Sequence, residues 1–288
     1  MQVKALACQL PAEEGLPLSR FSRQDLADEV IRRGIVAKIS GTTIWRWLNQ
    51  DAIRPWYHRS WIFPSDPQFE PKAGKVLDLY QGYWEDEPLQ ENEFVISADE
   101  KTSIQARIRT HPTLPAQPKR KRRVEFDYDR GGALAYLAAW DVRRAKIFGR
   151  CDSTTGIEPF DRLVHQVMDQ QPYRDAHRVF WIVDNGSSHR GAASVKRLEG
   201  AYKNLVLVHL PVHASWLNQV EIFFSIVQRK VLTPNDFASL EAVAHSLLDF
   251  QIQYEKMAQP FEWKFTRANL KDLMDRLRPH EPALSLSV

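Results

Sequence analysis

Three acids stand where this chain could do chemistry. "FVISAD" (94–99) and "VFWIVD" (179–184) are apolar, β-prone runs that each stop at an aspartate, Asp99 and Asp184. Near-continuous apolar runs belong to strands buried on both faces of a sheet. If the two strands are parallel neighbours, both carboxylates emerge at the same carboxyl end, where ligands bind in open α/β sheets. Carboxylates a few ångströms apart repel unless a cation sits between them, and a hard, oxygen-seeking divalent ion such as Mg²⁺ meets that need. The third acid, Glu221, follows Asp184 by 37 positions. Each acid also has an ordinary reading. Asp184 opens Asp-Asn-Gly, a strong signal for a tight hairpin turn. Asp99 has Glu100 beside it, and Glu221 alone reads as an exposed helix glutamate. The expectation rests on the set, each acid ending or edging an element that would converge on one site.

The elements that must position them follow from the patterning. In 215–232, Leu217, Val220, Phe224, Val227 and Val231 recur at helical spacing, and Asn218, Glu221, Ser225 and Gln228 form a second stripe beside them. Glu221 therefore edges the buried face. Strands are expected at 93–100, 132–142, 145–152, 178–184 and 205–210, the second and third as an antiparallel pair turning at Arg143–Arg144. Helices are expected at 157–170, 193–204 and 215–232, and the tail reads as helical over 239–258 and 264–277. This order implies an α/β domain with both parallel and antiparallel pairing.

The first sixty residues have a different texture. "SRQDLADEVIRRG" (22–34) opens on a serine cap and closes on Gly34, with Leu26 and Val30, joined by Ala27 and Ile31, as its apolar face. "SGTTIWRWLNQDAI" (40–53) opens on a second serine, with Ile44, Trp47 and Leu48 at helical spacing; Trp45 and Trp47 cannot share a face. Two short helices on a tight link suggest a helix-turn-helix, with Thr42, Thr43 and Arg46 near the start of the second helix reading bases; any small helical hairpin fits the same pattern. The segment 54–74 is proline-rich and starts basic and aromatic, so Arg54, His58 and Arg59 could follow a phosphate backbone. A helix is expected at 72–84.

The chain has 288 residues, 43% hydrophobic and 26% charged, with a formal net charge of +3. That is enough for one sizeable core or two small ones. The charge is uneven. Residues 20–62 hold eight Lys/Arg against four Asp/Glu, and 101–130 hold nine against three, including Lys119, Arg120, Lys121, Arg122 and Arg123 in a row. Local basic excess fits a polyanion, although a solvated charged loop has the same composition. No apolar run reaches the roughly 18 residues of a membrane helix, and the N-terminus makes a poor signal peptide. Cys8 and Cys151 form no metal-type pair and fit a reducing compartment. His209 and His213 have the spacing of a helical metal pair, but Pro211 lies between them. "GSS" (186–188) lacks the elbow of a serine nucleophile, and no phosphate-binding glycine loop is present.

"ISADEKTSIQARIRT", "FWIVDNGSSH" and "LPVHASWLNQVEIFFSIVQRKVL" resemble the catalytic blocks of IS630-type transposases, bacterial relatives of the Tc1/mariner transposases in the DDE group. "GTTIWRWLNQDAIRPWYHRSWIFP", "KAGKVLDLYQGYW" and "PFEWKFTRANLKDLM" extend the likeness over nearly all of 15–275. The resemblance implies a ribonuclease H-like α/β fold, a mixed sheet flanked by helices, behind an all-α, winged-helix-like helix-turn-helix domain. It implies domains at 1–62 and 93–288, with 63–92 as linker and connecting helix. It makes Asp99, Asp184 and Glu221 the catalytic acids and the ligands of two Mg²⁺ or Mn²⁺ ions. Asn185, His189 and Asn218 would support them. The partner implied is double-stranded DNA, both the inverted repeats that end a mobile element and its target, with a homodimer in the synaptic complex. The setting implied is the bacterial cytoplasm at the nucleoid, with no membrane. Family members usually begin with a further helical unit, so an N-terminally truncated copy is expected. The alternatives are a nuclease of the same fold that only hydrolyses nucleic acid, and a non-transposing DNA-binding remnant or repressor.

Overall fold

The computed structural model describes residues 1–58, 63–186 and 192–280 and divides into two compact units, Met1–Ile62 and Phe63–Val288.

The first unit packs three helices, α1 (Gln2–Ala7), α2 (Arg23–Arg32) and α3 (Gly41–Gln50). Ser22 caps α2 by accepting the Asp25 N–H while Asp25 accepts the Ser22 N–H, a reciprocal capping box. Gly34 takes the left-handed conformation just past the helix end. Ser40 caps α3 through the Thr43 N–H. Val3, Leu6, Phe21, Leu26, Val30, Ile44 and Leu48 close the core. Helix α1 carries no clear periodicity in the sequence, yet its apolar residues fill this core. Trp47 departs from expectation: it is 38% exposed, and Trp45 is 42% exposed. The six-residue α1 and ten-residue α2 cover only the 44/48 line of α3. Ile31, too, lies outside the core.

In the second unit, α4 (Phe69–Gln81) ends where Gly82 adopts a left-handed conformation, about three residues earlier than its pattern predicts. Its Phe69, Ala73, Val76 and Leu77 join the core of the unit. After a short hairpin of β1 (Tyr83–Trp84) and β2 (Glu87–Pro88) come β3 (Glu93–Ile108), β4 (Asp129–Asp141), β5 (Lys146–Asp152), α5 (Ile157–Met168), β6 (Arg178–Val183), α6 (Ala192–Ala201), β7 (Leu205–His209), α7 (Val220–Lys230), α8 (Leu240–Glu255) and α9 (Arg267–Leu277). The large sheet has the order β5-β4-β3-β6-β7, antiparallel across β5, β4 and β3 and parallel across β3, β6 and β7. Helices α4, α7, α8 and α9 bury one face and α5 and α6 the other.

Two expectations are corrected. Strand β3 does not stop at its acids; it continues to Ile108. Pairing with its parallel partner β6 ends at Ser97, whereas pairing with β4 persists through bulges between Lys101 and Ile104 and between Gln105 and Arg107. A strand with one neighbour tolerates the polar run "EKTSIQ", which hides it from a hydrophobicity pattern. The helix expected at 215–232 is broken. A 3₁₀ turn at Ser215–Leu217 gives way to Asn218 in an extended conformation (ψ 111°), and α7 starts afresh. Phe223, outside the predicted stripe, is fully buried.

Candidate active site

Register and parity bring the acids together. Along β3, Val95 faces the α7 side, whereas Phe94, Ile96 and Ala98 face the α5 side; along β6, Phe180 and Ile182 face the α7 side. Successive side chains alternate, so Asp99 and Asp184 continue the α7 side of their strands. Ser97 pairs with Ile182 in the parallel register, and each aspartate lies two residues beyond its member of that pair. Glu221 enters from above, in the first turn of α7. Backbone N–H groups at a helix N-terminus favour negative charge there.

The two aspartates are held by hydrogen bonds. Asp99 is 8% exposed; its Oδ1 accepts the Glu100 N–H at 2.8 Å and its Oδ2 accepts Asn218 Nδ2 at 3.2 Å. Asn218 is itself buried, donating to the Ala98 carbonyl at 3.0 Å and accepting the Ser97 hydroxyl, which in turn accepts the Val220 N–H at 2.9 Å. Tyr80 donates to the Leu217 carbonyl at 2.7 Å and accepts the Gln219 N–H at 3.2 Å. The broken helix is thus pinned to β3 by a buried polar network in which Asn218 makes the contact to Asp99. Asp184 Oδ1 accepts the Gly186 N–H at 2.6 Å, and Asn185 Nδ2 donates to the Leu210 carbonyl at 2.7 Å. Asp-Asn-Gly therefore turns the chain without making a hairpin; β6 pairs in parallel with both of its neighbours.

Asp99 and Glu221 both feel the charge of Asp184. Burial, followed by the negative charges of Asp184, Glu221 and Glu100, pushes Asp99 up to about 7, against the Glu100 N–H that lowers it. Burial also raises Glu221, with Asp184 adding to the rise and Lys101 opposing it. Oxygen-only donors with uncompensated negative charge match a hard divalent cation in chemistry. Among the described residues, no group of three or more Asp, Glu, His or Cys side chains is arranged so that it could hold a metal ion as it stands. The fit is therefore one of donor type and charge.

The remaining predicted residues are scattered. Thr42 and Arg46 are exposed on α3, while Thr43 is half-buried with its hydroxyl 3.1 Å from Ser40 Oγ. Arg54 and His58 are exposed after α3; Arg59 and His189 lie outside the described residues. Lys119 to Arg123 are exposed on a hairpin between β3 and β4, closed by bridges pairing Leu114 with Arg123 and Gln117 with Arg120. Ser97, Tyr80 and Lys101 escaped the sequence reading. Ser97 gave a faint signal, a small polar residue inside an apolar strand; Tyr80 gave none.

A family described as DDE superfamily endonuclease matches residues 95–244. Among solved structures, the Mos1 transposase paired-end complex with left transposon end is similar at a TM-score of 0.52 and 13% identity, over 96% of this chain and 76% of that one. The Mos1 strand transfer complex is similar at 0.52 and 14% identity, over 96% and 76%. The mariner Mos1 paired end complex with Mg is similar at 0.53 and 14%, again over 96% and 76%. No curated protein matches the sequence. At such identities the likeness is one of fold, and the five-stranded mixed sheet between helices is the ribonuclease H-like fold of those transposases.

Proposed function

From the premise that this chain belongs to the DDE superfamily endonuclease family, we propose that it is a Tc1/mariner-type transposase of the IS630 kind. It would bind the ends of an insertion sequence and catalyse DNA strand cleavage and strand transfer. The observation that carries this reading is the convergence of Asp99, Asp184 and Glu221 on one side of the sheet, close enough that the charges of Asp184 and Glu221 raise Asp99 and that of Asp184 raises Glu221. Two divalent ions, Mg²⁺ or Mn²⁺, would supply the Lewis-acid chemistry of an in-line displacement at phosphorus. The Mos1 complexes with Mn and with Mg support that choice of ion.

The protein's own part is positioning. Asn218 and the Glu100 N–H fix the two oxygens of Asp99, the Gly186 N–H fixes Asp184, and the first turn of α7 presents Glu221. The division of labour we propose gives residues 1–62 the element ends, read by the first turns of α3 and by Arg54, His58 and Arg59. Residues 93–288 carry catalysis, and the exposed Lys119–Arg123 hairpin grips phosphates. Two ends must be synapsed, so a homodimer on DNA at the bacterial nucleoid is the working assembly. Nicking of element-end DNA in Mg²⁺ or Mn²⁺, and none in EDTA, is the expected result. A nuclease that only hydrolyses would share the three acids; joining of a pre-cut end to target DNA separates the two readings.

Two expectations concern binding. If residues 20–62 and 119–123 neutralise about six phosphates together, affinity falls roughly a thousandfold between about 50 and 200 mM salt. Replacing Lys119 to Arg123 with glutamines flattens that slope without altering sequence preference, as titrations at several salt concentrations would show. An unchanged slope would make the hairpin a solvated loop. Arg46→Ala is expected to weaken specific end binding by about 1–3 kcal/mol, as for an arginine paired with a guanine, while nicking of non-specific DNA at high protein concentration persists. Equal loss of specific and non-specific binding in a gel shift would reduce Arg46 to a phosphate contact.

A further inference from the structure

Beside the acids lies a cleft that the function above does not use. It has a volume of about 430 Å³ and lies between the bulged half of β3 and the loop that follows α7, lined among others by Lys101, Arg107, Arg109, Gln228 and Asn235. Among the described residues that line it there is no carboxylate. Its near end adjoins the acids: Lys101 is two residues past Asp99, and its charge is felt at Glu221. Gln228 lies two turns along α7 from Glu221, on the stripe that Glu221 begins.

The cleft is built rather than incidental. The bulge between Lys101 and Ile104 carries Ser103 at φ 57°, a left-handed conformation uncommon outside glycine. Bulges re-aim side chains and cluster next to active sites. Arg107 and Arg109 both lie over the Tyr128 ring, at 4.8 and 4.9 Å. Asn235 locks the floor: it accepts the Arg107 N–H at 3.0 Å, donates to the Gln105 carbonyl at 2.6 Å, and its carbonyl accepts Arg109 Nη2 at 3.1 Å. Arg109 Nη1 donates to the carbonyls of Glu125 and Phe126 at 2.7 and 2.8 Å. The Nε atoms of both arginines are buried without an acceptor. Two guanidinium groups held in place and a lysine, with no acid in the lining to neutralise them, leave a positive field concentrated in a concave surface.

We propose that this cleft seats the sugar-phosphate backbone of the DNA strand running from the acids, with Lys101 facing a phosphate next to the scissile one, Arg107 a phosphate further along, and Arg109, whose guanidinium donates to backbone carbonyls, adding positive charge behind them. The inference rests on the DNA-cleaving reading and adds a strand path to it. A cleft of this volume is the size of a small-molecule site, so one strand is seated in it, frayed from its complement. Guanidinium groups match phosphate oxygens in geometry as well as charge.

The test uses three variants that each lower the charge by one: Arg107→Gln and Gln228→Glu in the cleft, and Arg229→Gln on the same helix outside its lining. Binding of a fluorescein-labelled element-end duplex with a frayed single-stranded tip is followed by anisotropy in EDTA, with nicking in Mg²⁺ as a second readout. The two cleft variants are expected to weaken binding of the frayed duplex about tenfold and to lower the salt slope by about one, while Arg229→Gln stays near wild type. A methylphosphonate at one position near the cut should weaken wild-type binding and leave Arg107→Gln unaffected. Gln228→Glu sits on an exposed surface and tests the cleft even where Arg107→Gln disturbs packing on Tyr128. Wild-type affinity in both cleft variants, or equal loss in Arg229→Gln, overturns the proposal. Absence of nicking by the wild type would instead count against the functional reading, while the binding arm still decides the cleft.

Discussion

Asp184→Asn stops metal-dependent nicking, with a loss of about a thousandfold or more, while binding of element-end DNA in a gel shift persists. The substitution keeps the size of the side chain and an oxygen that can accept the Gly186 N–H, the bond that shapes the turn after β6. What it removes is one negative charge from a cluster of three. Glu221→Gln removes another from the first turn of α7 and is expected to fail as badly. Groups that act as a unit are grossly non-additive, so the double variant should be no worse than either single one. Additive losses would mean that the two acids do separate jobs. Wild-type rates from a folded Glu221→Gln protein would remove it from the site. Loss of end binding together with nicking in Asp184→Asn would overturn the division of reading and cutting between the two units.

Why the acids were legible and their supports were not comes down to the range of the signals. Asp99 and Asp184 follow apolar runs, and Phe94 to Ala98 and Val179 to Val183 are buried as such runs must be. The parallel register then aligns the two acids from local pattern plus one topological assumption, which the sheet bears out. Asn218 read as part of a continuous helix because Leu217, Val220 and Phe224 keep helical spacing across the break. The break depends on Ala98 and Ser97, which lie 120 and 121 positions earlier in the chain and accept or donate the hydrogen bonds of the Asn218 side chain. No window of sequence contains that pairing. The second half of β3 was hidden for a related reason: it needs β4 as a partner, and its polar residues carry no alternation. The capped helices α2 and α3 were readable because their start signals, Ser22 and Ser40, act within one turn. Trp47 was misplaced because helical spacing says which residues share a face and not how wide a face the neighbours cover.

The cost of assembling the acids is itself measurable. Asp99 is raised from the ordinary 3.8 to about 7, first by burial and then by its acidic neighbours. The folded protein therefore holds the Asp99 proton more tightly than the unfolded chain does. The stability this lends is complete below about pH 4 and is lost as the pH rises through 7. A rise of roughly three pH units corresponds to on the order of 4 kcal/mol. In EDTA, wild-type unfolding free energy should thus fall by about that amount between about pH 4 and 7 relative to Asp99→Asn. Shifted acids away from the site, such as Glu93 with Arg178 and Asp66 with Lys72, titrate equally in both proteins and cancel in the difference. The variant is not stabilised by the whole of that figure. Its amide oxygen can still accept the Glu100 N–H, but its NH₂ then meets the Asn218 NH₂ donor, and a buried mismatch of that kind costs about 1–3 kcal/mol. The slope with pH, rather than the absolute difference, is the diagnostic. Chemical denaturation of both proteins across this range supplies it, and parallel curves would show that Asp99 is not held in a raised state. Mg²⁺ added at pH 8 should stabilise the wild type and leave Asp99→Asn nearly unmoved, since a ligand that binds only the folded, ionised site adds stability in proportion to its affinity for that site.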